Sequence, residues 1–475
     1  MTTHSLAYRA VVKSRGYTLG PFNARDITGR LSWEKKREVI EVFKEYCLSK
    51  YVDFSEFSKE RNIPNKIATL VEKYLGLMES GTIPCTHEFY LKMFHLGLAS
   101  GDIEFNPFDF IMLDEAGDLN EVTLEVFKHL PSNKKIAVGD KHQNVFSFNH
   151  TINCFEVLKD EGVTFSMTTS FRVGEKIAKR IEGFCKRCID PDMEFKGVPT
   201  DNKIKTVGFI TRTNSALIAK MIELNDEGTP YSLVRKAKDI FELPLTIIGM
   251  SKGGFIKNPA YRYMQEVYDK WYTDLDLMDK FKSPLSYVAS ECSKDIQISS
   301  AVRLVLKYSN KVLFATYAEA KHHENTNYDL TLATAHSVKG LEMDQVVIDG
   351  SMNHHLTGIM SCVASGELSV EDQLYKDAVN LYYVACSRAK KSLLNATLLD
   401  VETPLKTSER VTNLNVSSIN RVSEAPTETL RDVQTRIVNQ LAPELMGDQD
   451  PAMLFWKRDL YEDTDGIVDE GYDRG

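Results

Sequence analysis

The chain has no apolar stretch approaching the ~20 residues of a membrane-spanning helix, which argues against a helical membrane protein. Its first residues, Met1-Thr2-Thr3-His4-Ser5, lack the basic-then-apolar layout of a secretory signal. The protein is therefore expected to stay in the compartment where it is made. Cysteine is sparse and scattered: eight residues, with only Cys185-Lys186-Arg187-Cys188 closely spaced. A lone Cys-x-x-Cys without a second pair reads as incidental, so free thiols in a reducing compartment are expected. Internal repeats and low-complexity tracts are missing too. So is any excess of positive charge, the net value being −9. That balance does not exclude nucleic acid, because backbone binding depends on local basic surface rather than on the total. Much of the acid also sits in the tail, at Glu462, Asp463, Asp465, Asp469, Glu470 and Asp473.

What the chain does have is length and rhythm. At 475 residues it is too long for one core, and two or three domains are expected. Residues 27–100 read as helical, with heptad-like apolar spacing at Val39, Ile40, Val42, Phe43, Tyr46 and Cys47. Strands and helices then alternate: strand 108–113, helix 119–129, strands 135–138 and 163–167, helix 173–185. A second set runs through strand 206–211, helix 215–224, strand 231–234, strands 330–334 and 345–348, and helix 377–387. Such βα alternation predicts parallel, doubly wound sheets. Residues 255–325 interrupt it with helices, as an insertion does. Beyond Leu399 the composition is polar and acidic, with one weak helical patch at 429–441, and reads as a loosely ordered tail.

Ile111-Met112-Leu113-Asp114-Glu115-Ala116-Gly117-Asp118 is the most informative string, an apolar run ending in acid. A buried parallel strand would deliver these carboxylates to the crevice at its C-terminal end, where ligands bind in open α/β sheets. One carboxylate there can hold magnesium on nucleotide phosphates and the next can polarise an attacking water. Taken alone, an Asp-Glu pair is better read as a polar turn. Gly139-Asp140-Lys141-His142-Gln143 follows a short strand, and Gln143 suits a terminal phosphate or the water. Phe146-Ser147-Phe148 offers aromatic faces for base stacking, with core packing the plainer reading of Phe146. In Thr169-Ser170-Phe171-Arg172 the ring can stack on adenine while the guanidinium grips phosphate. Ala333-Thr334-Ala335-His336-Ser337-Val338-Lys339-Gly340-Leu341-Glu342 places phosphate-contacting side chains before a glycine turn and an acid suited to a ribose hydroxyl. A structural loop with a satisfied histidine is the alternative. Leu381 to Lys391 reads as an apolar helix ending in a basic cluster. Some of those cations serve the helix dipole, and Arg388 is a candidate arginine finger.

These strings, in this order, resemble the superfamily 1 UvrD/Rep-like DNA helicases, and within them the F-box DNA helicase group. Thr2-Thr3-His4-Ser5-Leu6-Ala7, Thr86-His87 with Tyr90-Leu91-Lys92, and Ile210-Thr211-Arg212-Thr213-Asn214 are similar to further elements of that family. The resemblance covers residues 1 to about 395 and leaves the tail without a counterpart. It implies an α/β fold of two RecA-like parallel-sheet motor domains with helical insertions, the first truncated at its N-terminus, with nucleotide between them. The implied domains are 1–165 with an insertion at about 27–100, 166–399 with an insertion at about 255–325, and the tail at 400–475. The implied activity is ATP-dependent unwinding of DNA by translocation on a single strand, in replication, repair or recombination. ATP and Mg2+ are the implied cofactors, single-stranded and duplex DNA the partners, and the cytoplasm, a nucleoid, a viral replication site or a nucleus the location. Asp114 would be the magnesium-associated acid and Glu115 the base. Gln143, Arg172 and Arg388 would surround the γ-phosphate, Phe171 would take adenine, and Glu342 beside Gly340 would meet the ribose. His4, Phe148, Thr334 and His336 would face single-stranded DNA.

Three departures from the family pattern stand out. Gly117 occupies the place of a glutamine, and Asn149 that of an arginine. No Gly-x-x-x-x-Gly-Lys-Ser/Thr phosphate loop occurs, and Gly16, Gly20 and Gly29 do not supply one. The expectation is of a motor whose phosphate loop is encoded upstream or on a separate chain. The competing readings are a non-catalytic relative that keeps a DNA-binding surface, and a scaffold that uses the acidic tail.

Overall fold

The computed structural model describes residues 2–145, 150–293 and 295–401. Phe146, Phe148, Asn149, the patch at 429–441 and the acidic tail lie outside the described residues. The chain divides into two compact units, Met1–Ser166 and Met167–Gly475.

The first unit opens with α1 (Thr3–Ala7), which runs on into a π-helical stretch, Tyr8–Lys13. The Thr2 side chain caps it by accepting from Ser5 N–H, an interaction worth ~1 kcal/mol. Four helices follow: α2 (Trp33–Leu48), α3 (Phe54–Glu60), α4 (Asn65–Glu79) and α5 (His87–Ser100). α4 buries Ile67, Val71, Tyr74 and Met78, one stripe at helical spacing. That stripe joins Val39, Phe43 and Tyr46 of α2 and Phe89 and Phe94 of α5 in a single core. Each such side chain contributes ~1.5–3 kcal/mol on burial. Lys92 of α5 lies inside this core, where its ammonium donates to the Ser49 carbonyl at 2.9 Å and to that of Tyr51. It also sits 4.5 Å from the Tyr46 ring. Its role in the structure is to satisfy carbonyls beyond the end of α2.

The α/β part of this unit contains β1 (Ile111–Leu113), β2 (Leu119–Asn120), α6 (Glu121–His129), β3 (Lys135–Ala137), β4 (Thr151–Ile152) and α7 (Cys154–Val157). β1 and β3 pair in parallel with Met112 opposite Ile136, and β2 pairs antiparallel with β4. Asn120 caps α6, its side chain accepting from Thr123 N–H at 2.9 Å. Leu124 and Phe127 of α6 pack with Ala116 and Cys154 in a small second core. The expected strand at 108–113 shrinks to three residues plus a single bridge between Phe108 and Ser132.

The second unit begins with β5 (Thr169–Gly174), α8 (Glu175–Cys188), β6 (Lys196–Val198), β7 (Val207–Thr211), α9 (Asn214–Glu227), β8 (Ser232–Leu233) and α10 (Ala237–Ser251). A helical block follows: a 3-10 turn at Pro259–Tyr261, then α11 (Arg262–Trp271), α12 (Leu275–Lys280), α13 (Pro284–Glu291), α14 (Ile296–Lys307) and α15 (Asn310–His322). β9 (Leu330–Thr334), β10 (Met343–Ile348), α16 (Gly350–Ala364), α17 (Gln373–Cys386), β11 (Ala389–Leu394) and a 3-10 turn at Thr397–Asp400 complete the described chain. The sheet has five strands, all parallel, in the order β11-β10-β7-β9-β8. Leu217, Ile218 and Met221 of α9 pack with Phe241 of α10, Tyr317 of α15 and Leu332 of β9. The helical block has its own core around Ile247, Met264, Val288 and Val302. The architecture is thus mixed α/β with a parallel sheet and helical insertions. Among the described residues no helix is long and apolar enough to cross a membrane.

Two expectations change here. The strand read at 163–167 is not formed; the ladder begins at Thr169, and Val163, Phe165 and Met167 are 82%, 85% and 89% exposed. Alternation of apolar and polar residues marks a strand only where a neighbour supplies the ladder. The basic residues after Arg388 also do not end a helix. Lys390 and Lys391 stand on β11, where successive side chains point to opposite faces, and each finds carboxylates of its own.

Candidate nucleotide and nucleic-acid site

In the first unit Asp114 and Glu115 leave the C-terminal end of β1 and are exposed. Asp114 Oδ1 accepts the Glu115 N–H at 3.0 Å. Glu115 has φ +55°, a left-handed conformation costing a non-glycine residue ~1–2 kcal/mol. Strain of that kind gathers at functional sites. The loop is held by a second loop packed on it. Ala116 N–H donates to the Val138 carbonyl at 2.9 Å, extending the β1–β3 ladder. Gly117 and Gly139 make the approach possible: a Cβ on Gly117 would lie 2.2 Å from the Asp140 carbonyl oxygen, and one on Gly139 would lie 2.8 Å from Ala116 N. This explains physically why no glutamine stands at 117, since the backbone of the facing loop fills the place of its first carbon. Asp140 in turn accepts from His142 N–H at 2.9 Å and from Gln143 Nε2 at 3.1 Å. The acid loop and Gln143 therefore belong to one bonded assembly. Its donors are hard carboxylate oxygens, the chemistry that suits Mg2+.

His4, from α1, rests on α5. Its Nδ1 lies 3.1 Å from the Tyr90 hydroxyl, and His87 Nδ1 lies 3.0 Å from the same atom. Partial burial, with His87 beside it, lowers the His4 pKa. The histidine remains exposed enough to meet a ligand.

In the second unit the sequence strings fall at two opposite rims of the sheet. At the C-terminal rim stand Thr211, the last residue of β7, and Arg212; Thr334, the last of β9, and His336; and Asp349 after β10. Their loops are cross-bonded: Ala335 N–H to the Thr211 carbonyl (2.8 Å), Asp349 N–H to the Ile210 carbonyl (2.9 Å), and Arg212 N–H to Ser351 Oγ (3.0 Å). Thr334 is buried, and its hydroxyl lies 3.1 Å from Ser337 Oγ. Arg212 is largely buried with Nε lacking a hydrogen-bond partner. Burial, then the Arg212 charge, pushes His336 and His355 each down to about 4. Both rings are therefore neutral at pH 7.

Residues 335–342 carry the chain from that rim to the other, where β10 begins. Gly340 turns there with φ +84°. Glu342 is gripped from two sides, by Arg172 Nε at 2.9 Å and Lys390 Nζ at 3.1 Å. Lys390, with Arg172 behind it, holds the Glu342 carboxyl below its ordinary range. Phe171, next to Arg172, presents its ring to solvent and is 84% exposed. Arg388 belongs to the same rim, since its carbonyl accepts Met343 N–H at 3.0 Å. Its guanidinium is 2% exposed and folds back on α17, Nε donating to the Val384 carbonyl at 3.0 Å and Nη2 to Ser387 Oγ at 2.9 Å. In this state it caps a helix C-terminus, a favourable place for a cation.

The sequence reading missed Lys390 and Asp140. Lys390 was assigned to a helix end, and only the strand geometry brings it to Glu342. Asp140 was visible in its string, but nothing in the sequence says that it bonds Gln143.

Comparison with known proteins bears on this arrangement. Residues 291–397, from the end of α13 through β11, match the UvrD-like helicase C-terminal domain family. The chain is 23% identical over 375 residues to F-box DNA helicase protein 1 of Schizosaccharomyces pombe, covering 72% of this chain and 39% of that protein. It is 23% identical over 337 residues to F-box DNA helicase 1 of Gallus gallus, covering 66% and 31%. The chain is similar to UvrD-like superfamily 1 helicases, close to the F-box group. It spans less than half the length of these relatives. The matched segment contains Thr334, His336, Gly340, Glu342 and Arg388, whereas Phe171, Arg172, Thr211 and Arg212 lie outside it.

Proposed function

We propose that this chain is the motor portion of an ATP-dependent DNA helicase, translocating on single-stranded DNA and separating duplex, in replication, repair or recombination. The observation that carries the reading is the loop 334–342. Its first residue stands at the sheet rim with His336, and its last stands at the opposite rim in the Arg172–Lys390 grip. A motor needs such a covalent link between a strand-binding end and a nucleotide-binding end. The names of the two relatives, both DNA helicases, point the same way.

In this reading Phe171 stacks on adenine, and Glu342 releases its cations to accept a ribose hydroxyl while Arg172 and Lys390 turn to phosphate oxygens. Glu115 takes a proton from the attacking water. Gln143, oriented by Asp140, positions that water or senses the terminal phosphate. A magnesium ion held by Asp114 would supply neutralisation of phosphate charge. Arg388 serves as a finger only after it leaves the carbonyl of Val384. His4, Thr334 and His336, together with Phe148, contact the DNA strand, a stacked base being worth ~1–3 kcal/mol. The phosphate loop, which this sequence does not contain, is supplied by polypeptide outside it.

The test is ATP hydrolysis by the full gene product, with and without single-stranded DNA, alone and with any polypeptide that co-purifies. DNA-stimulated turnover is expected, and Glu115→Gln is expected to lower it ~100-fold or more with DNA binding retained. The fold of Gly117 onto Asp140 and the buried Arg388 favour a second reading, a helicase-like protein that binds DNA without turnover. DNA binding with no hydrolysis in any of these mixtures establishes that reading instead.

A further inference from the structure

We propose that His95, Glu125 and His129 form a transition-metal site in the first unit, with zinc as the ion that the donor set selects. His95 projects from α5 and is wholly buried, and neither of its ring nitrogens has a hydrogen-bond partner. Leaving a buried polar group unpaired costs ~1–3 kcal/mol, which a folded protein normally avoids. Glu125 and His129 stand four residues apart on α6, on one helix face. The His95 and His129 ring centroids are 5.6 Å apart. One potential ligand atom from each of the three residues lies within 4.8 Å of the other two. Tetrahedral zinc with bonds of ~2.0–2.1 Å needs these atoms roughly 3.4 Å apart, a closure that side-chain rotation provides.

The surroundings are organised for ligation. His129 Nδ1 lies 2.8 Å from the Glu125 carbonyl oxygen. A carbonyl can only accept, so Nδ1 carries the proton and Nε2 keeps its lone pair for a metal. This is the outer contact that metal-binding imidazoles usually make. Lys92 is a charged neighbour of His95. Its ammonium is already bonded to carbonyls, and Glu121 and Glu125 face it from α6. His129 and Glu125 keep 36% and 21% of their side-chain surface, which leaves an entry path and room for water as a fourth ligand. Two nitrogens and one oxygen suit zinc, nickel or copper and not magnesium. The site is therefore chemically distinct from the oxygen-only loop at Asp114, and it stands independently of the proposed helicase activity.

The probe is cobalt(II), added to untagged, chelator-treated full chain and followed by visible absorption, with zinc as competitor. One equivalent per chain is expected, with the band intensity of four- or five-coordinate cobalt, displaced by zinc, and with a zinc-dependent rise in melting temperature. Glu125→Gln and His129→Ala, both at partly exposed positions, should each weaken binding at least tenfold while leaving the metal-free circular dichroism unchanged. His354→Ala, in the second unit, should bind as the parent does. An absence of stoichiometric binding by the parent, or equal binding by His129→Ala, overturns the proposal.

Discussion

Replacing Gly117 by alanine tests how the acid loop is held. The added Cβ would meet the Asp140 carbonyl oxygen at 2.2 Å and its carbon at 3.0 Å. Comfortable contact between such atoms begins near ~3.5 Å, so the facing loop must retreat by about 1 Å. Both obstructing atoms are backbone, with no flexible side chain to swing away. The retreat strains the bond from Ala116 N–H to Val138 and that from Gln143 N–H to the Asp140 carbonyl. Overpacking of this kind costs ~1–3 kcal/mol. At ~2–4 °C per kcal/mol for a unit of this size, the first unit should melt roughly 2–12 °C lower by calorimetry. Gly139→Ala meets Ala116 N and Gly117 N at 2.8 and 3.0 Å and should cost a similar amount. Both changes pry apart the same two loops, so the double variant should lose clearly less than the sum. An unchanged melting temperature for Gly117→Ala, or full additivity, refutes the interlock. By the same reasoning Gly117→Gln, which restores the family's residue, should destabilise the loop and raise no activity.

Other expectations follow from the same geometry. Arg172 and Glu342 are each nearly half exposed, so Arg172→Ala should change stability by less than ~1 kcal/mol. Titration with a fluorescent ATP analogue should nevertheless show weaker binding; loss of stability with unchanged affinity would make the ion pair purely structural. His336 and His355 are held near 4 in the fold, below their ordinary value of 6.5. The unfolded chain therefore binds more protons between those values, so stability is complete above about pH 6.5 and falls as pH drops toward 4. Urea unfolding midpoints at pH 7 and pH 5 measure this, and His355→Asn should flatten the difference. Lys92→Ala should cost ~2–4 kcal/mol, since it leaves a cavity and strips two buried carbonyls of their donor. Lys92→Met keeps most of the volume and should cost less; equal chemical-denaturation midpoints for the two would show that the hydrogen bonds, and not the filled space, carry the effect.

Much of the second unit was legible because its strands are short, β-branched and set between helices of ordinary length. The strand at Leu330–Thr334 follows directly from that pattern, whereas the helix at Gly350–Ala364 was not read. The string from Thr334 to Glu342 could be read as a site but not as a crossing between two rims, because sequence does not give strand order. Placing β7 between β9 and β10 is a tertiary fact. Arg388 was read from its position after an apolar helix, and burial shows what the position does at rest. The alternation at 163–167 was as good as any in the chain, yet pairing failed to follow. The His95 cluster left only a faint trace, a glutamate and a histidine one helical turn apart, because its third member comes from another helix.

Tyr90 has one hydroxyl hydrogen and two imidazoles against it. At most one ring can receive that hydrogen, because the phenol has one to give. When one ring takes it and the other donates its own to the phenol oxygen, the two are opposite tautomers, and of their outward nitrogens one bears hydrogen and the other a lone pair. In the proposed contact with DNA a phosphate diester, which accepts and cannot donate, would meet the nitrogen that bears hydrogen. The first residues of the chain thus carry a sense of polarity set by the bookkeeping of one proton.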